Sequence, residues 1–240
     1  MDKPLMSFAY FLSFENHSGE SRSLPSAALP ALRKMLAAIN GLERGLIFTP
    51  ETAKDQFNDD GASPPLSLQL YFAELSALEA AVAAGGPLQP LVGTGLLGVV
   101  GEAAVTQQVF YVRPFPVDDP VIRPGASGLP CSYVVHYPGP AADINEWLTH
   151  YIANHPQIMR KFPGIRAIEI LSRVDWCGGL PWPRANHIQR NRVMFDSAEA
   201  LTAALQSPVR LEMRADFAAF PPYEGGNFHY PMATEEVLPA

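Results

Sequence analysis

Residues 143–164 read DINEWLTHYIANHPQIMRKFPG, and the reading of the fold starts from them. Ile144, Trp147, Leu148, Tyr151, Ile152, Ile158, Met159 and Phe162 recur at helical spacing, which predicts a helix over 143–162 with one apolar stripe. Asp143 is placed to cap the first turn, Glu146 to complete a capping box, and Pro163 with Gly164 to stop the helix. His155 falls on the stripe, between Ile152 and Ile158. A strand is expected from 165 to about 174, and a second over 187–195. Upstream, 131–137 reads as a strand. Downstream, a helix starts at Ser197 and a last strand covers 227–232. The order is βαββαβ.

The residues before it repeat that order. A strand over 5–14 and a polar connection over 16–26 precede a helix over 29–40, which carries Leu32, Met35, Leu36 and Ile39 and stops at Gly41. A strand over 42–49, a polar loop to Pro65, a strand over 66–72, a helix over 76–84, a Gly-rich loop and a strand over 105–112 complete the set. An offset of 123 residues sets Tyr10 on Tyr133, Phe14 on Tyr137, Leu36 on Met159, Ile39 on Phe162, Gly41 on Gly164 and Phe72 on Phe195. One register held through helix, turn and strand marks an internal repeat. The prolines at 116, 120, 124 and 130 mark a linker. The expected organisation is a first unit over 1–115, a linker over 116–130 and a second unit over 131–240. The fold class is α+β: two tandem ferredoxin-like βαββαβ units. Each unit has helices on one face only, so the bare sheets pack together into an intrachain barrel.

Composition narrows the function. The chain has 240 residues, 48% of them apolar and 17% charged, with a net charge of −7. That suits a packed soluble protein. Without a basic run, nucleic acid is not an expected partner. No stretch approaches the roughly 20 apolar residues of a membrane span, and the N-terminal apolar patch reads as a strand, not a signal peptide. Cys131 and Cys177 lack metal-type spacing, and reduced thiols in a cytoplasm are the simplest reading.

The second unit also carries a resemblance. Tyr151 to Pro156 (YIANHP) followed by Phe162 to Ile165 (FPGI) is similar to the His-x-Pro … Pro-Gly helix of the EthD-like proteins. Here Pro156 follows His155 directly, a departure from that pattern. Phe195-Asp-Ser197, then Ala200-Leu201 and a later Asp216, resemble that family's second helix. The resemblance covers 131–232 and implies the dimeric α+β-barrel superfamily, with a barrel normally built by two chains here fused into one. That superfamily includes lactone isomerases, polyketide cyclases, cofactor-free monooxygenases and haem enzymes, so it speaks to the fold more than to one reaction.

His155 is the sharpest candidate. Its ordinary pKa suits proton transfer at neutral pH, and the repeat puts Leu32 at its place in the first unit. The bland alternative is a core histidine locking the helix to a loop. Arg190 and Arg192 share one strand face with Ile188 and Met194, and the apolar opposite face of the first unit's matching strand turns the arginines toward the barrel interior. Each buried guanidinium needs an anion, either an internal carboxylate such as Glu169 or a ligand's. Tyr133 and Tyr137 share a face and His136 takes the other; alternation alone does not say which faces the barrel. Trp182 lies in a loop with Trp176 that either lids a pocket or is pinned to the surface. Gly93 to Gly98 fits GxGxxG but follows no strand, which argues against a dinucleotide site. His150 and His155, five apart, do not make a zinc pair, and Glu146 with His150 reads as a helix-surface pair.

These residues lead to an expected small-molecule enzyme without cofactor or metal. It would act on an aromatic, polyketide-like or carboxylate-bearing compound inside the second unit's barrel, in an isomerase, cyclase or lyase step. His155, Tyr133 and His136 would do the proton chemistry; Arg190, Arg192, Tyr137 and Trp182 would bind substrate; the first unit would be scaffold. The protein would be a monomer with an intrachain barrel or a homodimer. The rivals are a non-catalytic accessory protein of a degradation pathway and a haem-binding barrel.

Overall fold

The computed structural model describes residues 7–15, 22–124 and 128–240. The expected strand start at Leu5, most of the polar connection over 16–26 and the middle of the Pro-rich stretch lie outside them. The first half contains β1 (Ser7–Glu15), α1 (Ala28–Ala37), β2 (Leu42–Pro50), β3 (Leu66–Phe72), α2 (Leu75–Ala81), α3 (Thr94–Leu97) and β4 (Ala104–Phe115). The second contains β5 (Cys131–Tyr137), α4 (Ile144–Met159), β6 (Ile165–Arg173), β7 (Gln189–Phe195), α5 (Ala198–Leu205), α6 (Val209–Ala218) and β8 (Phe228–Val237).

The eight strands of the described residues pair antiparallel in one closed barrel, ordered β1-β3-β2-β8-β5-β7-β6-β4. Within that order each half keeps the ferredoxin-like sequence of strands, β4-β1-β3-β2 and β8-β5-β7-β6. The halves meet at two seams, β2 with β8 and β4 with β6. Closure leaves no strand edge unpaired. The repeat is visible in the registers: Tyr10 faces Leu70 and Leu12 faces Leu68, as Tyr133 faces Val193 and Val135 faces Asn191.

Strand alternation sorts side chains into three buried layers. Tyr10, Leu12, Phe14, Leu66, Leu68 and Leu70 turn outward under α1 and α2. Tyr133, Val135, Tyr137 and Val193 turn outward under α4, α5 and α6. Ala9, Phe11, Leu46, Phe48, Tyr71, Phe110, Val134 and Leu171 fill the barrel. Full burial of one large apolar side chain contributes about 1.5–3 kcal/mol, so these layers hold the fold together.

The helix that anchors the second layer has Asp143 as its cap, accepting from the Asn145 and Glu146 amides. Its buried stripe is narrower than expected: Trp147, Tyr151, His155 and Met159, at steps of four, with Pro156 beside them, while Ile144 is 38% exposed. Two elements differ from the sequence reading. The helix after Ser197 is two helices, because Pro208 opens α6. The Gly-rich stretch is not a plain loop: it holds α3 between two 3-10 turns, Gln89–Leu91 and Gly98–Glu102. Its glycines allow close chain packing, since a Cβ on Gly101 would lie 2.0 Å from the Gly93 carbonyl oxygen.

Candidate functional site

A pocket opens between the outer face of the second half's sheet and its helices. Tyr133, Val135 and Tyr137 from β5, with Asn191 and Val193 from β7, form the floor. His155 and Met159 come from α4, Arg210, Met213, Arg214 and Phe217 from α6, and Asn227 and His229 from the end of the chain. The lining mixes apolar side chains with convergent amide, imidazole and guanidinium groups, a make-up that can hold and orient a small molecule.

His155 is buried, and its Nδ1 lies 2.6 Å from Asp216 Oδ2 on α6. Asp216 Oδ1 lies 3.3 Å from His150 Nε2. The two histidines thus converge on one carboxylate that bridges their turns of α4, and His150 turns to Asp216. Burial would raise the Asp216 carboxyl, but the hydrogen bond from His155 first, and then the nearby His150, hold it below its ordinary value. Burial lowers His155, and Asp216 offsets this only in part. Near neutral pH the pair is a carboxylate and a neutral imidazole. A carboxylate only accepts, so Nδ1 carries the proton and Nε2 keeps its lone pair. Nε2 can therefore accept a proton, and Asp216 can stabilise the imidazolium that results.

Asn191, 1% exposed, donates from Nδ2 to the Tyr151 hydroxyl at 2.5 Å, while its Oδ1 has no partner among the described residues. A buried carbonyl left this way is costly, and a ligand donor would satisfy it.

The roof comes from the first half. Loop 51–65 crosses the β2–β8 seam and lies over the second half's pocket. Asp55 accepts from the Tyr133 hydroxyl at 2.9 Å and from Arg210 Nη2 at 2.8 Å. Asp60 accepts the His229 amide and sits 2.8 Å from its Nδ1. Gln56 donates to the Leu205 carbonyl, and Ser63 to that of Pro231.

The expected site residues do not form one cluster. Tyr133 and Tyr137 join His155. Arg190, Arg192 and His136 lie on the other face of the same sheet, inside the barrel, because neighbouring positions on a strand point opposite ways. Arg192 is held by Glu169, its Nη2 at 2.9 Å from Oε1, and the same carboxylate accepts from Arg44 at 2.8 Å and from the Tyr71 hydroxyl at 2.5 Å. Burial would raise Glu169, yet Arg192, Arg44 and Tyr71 together bring it down to about 2. Trp182 packs edge-on to Phe14 and Trp176 to Tyr10, so their loop is pinned to the first half, away from His155. Sequence reasoning missed Asn191, Arg210, His229 and the loop acids Asp55 and Asp60. The 123-residue offset held one signal: Leu68 stands opposite Asn191 and Leu66 opposite Gln189.

No protein-family model matches the sequence, and no curated protein matches it. Solved structures do. An anthrone oxidase-like protein superposes with a TM-score of 0.61 at 13% identity, covering 98% of this chain and 93% of its own. A candidate monooxygenase from Fusobacterium nucleatum gives 0.57 at 5% identity, covering 98% and 96%. A chlorite dismutase from Candidatus Nitrospira defluvii gives 0.51 at 12% identity, covering 96% and 92%. The chain is a dimeric α+β barrel contained in one polypeptide. At these identities the likeness is one of fold. No described helix is long and apolar enough to cross a membrane, and no three described His, Cys, Asp or Glu side chains are grouped to hold a metal.

Proposed function

We propose that the second half binds a small aromatic or polyketide-like molecule in this pocket and that His155 moves a proton on it. One observation carries the reading: His155 presents Nε2 with Nδ1 fixed on Asp216 at 2.6 Å, on the helix face where the first half has Leu32. Asp216 orients the ring. The Asn191 carbonyl oxygen is placed to accept from a ligand hydroxyl and Arg210 to donate to a ligand oxygen, and Met159, Met213 and Phe217 cover the apolar part. Removing a proton beside a carbonyl gives a stabilised carbanion. Isomerisation, cyclisation or elimination follows from that species; the oxygenation that the names of the structural neighbours bring to mind would in addition need dioxygen as co-substrate and oxidant.

The test is hydrogen–deuterium exchange at the acidic carbon of hydroxylated polycyclic ketones, followed by NMR. Catalysed exchange that vanishes in His155→Ala and drops in Asp216→Asn supports the reading. Ligand bound but recovered without exchange would move the protein to the accessory-protein reading. One feature favours a haem-binding alternative: with Nδ1 held by Asp216, His155 Nε2 would be free to hold a haem iron. A Soret band present in the wild type and absent in His155→Ala would establish it.

A further inference from the structure

Arg190 and Arg192 lie two residues apart on the barrel side of β7, and their surroundings are opposite in kind. Arg192 meets the Glu169 carboxylate with two of its nitrogens. Arg190 is 1% exposed, and no carboxylate touches it among the described residues. Its Nη2 lies 2.9 Å from His136 Nδ1 and 3.5 Å from His187 Nδ1. Its Cζ sits 3.3 Å over the Phe11 ring. Its Nε and Nη1 have no acceptor among the described residues.

A guanidinium stays charged in proteins. Aromatic faces and a neutral imidazole offset part of its desolvation, and the exposed Glu15 carboxylate attracts it through space without touching it. His136 Nδ1 accepts from Arg190, so its ring proton is on Nε2, a second donor beside the arginine. Donors, aromatic walls and a buried cation with no carboxylate in contact together describe the receptor half of an anion site. We infer that Arg190, with His136 and His187, binds a small oxyanion, a carboxylate above all, inside the barrel. This site lies across the sheet from the His155 pocket and does not rest on the reading given to that pocket.

The test compares wild type with Arg190→Met in low-salt buffer under rising formate, acetate and sulfate, read as thermal midpoint. In wild type the midpoint should climb saturably with anion. The variant, relieved of an unpaired buried charge, should melt at or above the anion-free wild type and ignore all three anions. Arg33→Gln, which breaks an exposed pair with Glu235, should keep the wild-type response. Saturation by the carboxylates below sulfate supports a carboxylate ligand, and the reverse a tetrahedral oxyanion. A wild type indifferent to all three anions, or a variant responding like wild type, would overturn the site. If Arg190→Met does not fold, the Arg190 Nε–H resonance of labelled wild type, shifted by the Phe11 ring, decides. Movement that saturates with formate supports the site, and an unmoved resonance refutes it.

Discussion

The outer faces of the two half-sheets share one plan and differ in what lies under the helices. In the first half, Leu32, Leu66 and Leu68 fill the space below α1, and Trp176 and Trp182 arrive from the other half to seal it. In the second, His155, Gln189 and Asn191 take those three positions, and the crossing loop brings Asp55, Asn58 and Asp60 in place of tryptophans. The anchors correspond too. Gln107, opposite Leu12, holds the Trp loop by donating to the Trp182 carbonyl, while His229, opposite Val135, holds the Asp loop. The fold therefore does not require a cavity. One face closes as ordinary core, and the other stays open because a few leucines are replaced by groups that need partners.

The comparison breaks most sharply at His155. His155→Ala should lower turnover of an accepted substrate by about 10²–10⁴-fold, the range of a lost general base, with the fold kept in circular dichroism. An unchanged rate would remove its role. Leu32→Ala, at the equivalent place, should do the opposite: cost about 2–5 kcal/mol in urea unfolding and leave ligand affinity untouched. Asp55→Asn should strip Arg210 of its charge partner and raise amide exchange across 51–65, while 174–187 stays protected. Equal protection in both loops would mean that the acid does not hold the roof.

The smallest effect expected is on the barrel side, where β5 has His136 and β1 has Ser13. Burial first and the Arg190 charge second push His136 well below its ordinary value and His187 down to about 3. The unfolded chain takes up these protons near pH 6.5 and the folded chain resists them. Their contribution to stability is thus complete above that pH and is lost as pH falls toward 3. Urea midpoints at pH 7 and 5 should differ less in His187→Gln than in wild type; an identical difference would contradict the assignment.

Much of the fold was legible because period and register are local properties. The α4 stripe, the strands at 66–72 and 131–137 and the 123-residue repeat needed no distant partner to be read. α6 was not legible: over Val209–Ala218 apolar residues alternate with Arg210, Glu212, Arg214 and Asp216, the period of a strand and not of a helix. The His155 bond spans 61 positions to Asp216. The family resemblance named that aspartate, but spacing could not pair the two. Alternation grouped Tyr133 with Tyr137 against His136 without saying which side was inside. The comparison of Leu66 and Leu68 with Gln189 and Asn191 carried that answer, since it set a fully apolar outer face beside a polar one.

The most direct test of the central claim, that one face is closed and the other open, is a crystallographic soak with a small hydroxylated aromatic. The account expects density between α4 and strands β5 and β7 only, with a ligand atom within hydrogen-bond reach of His155 Nε2. Density under α1, or none beside His155 at saturating ligand, would contradict it.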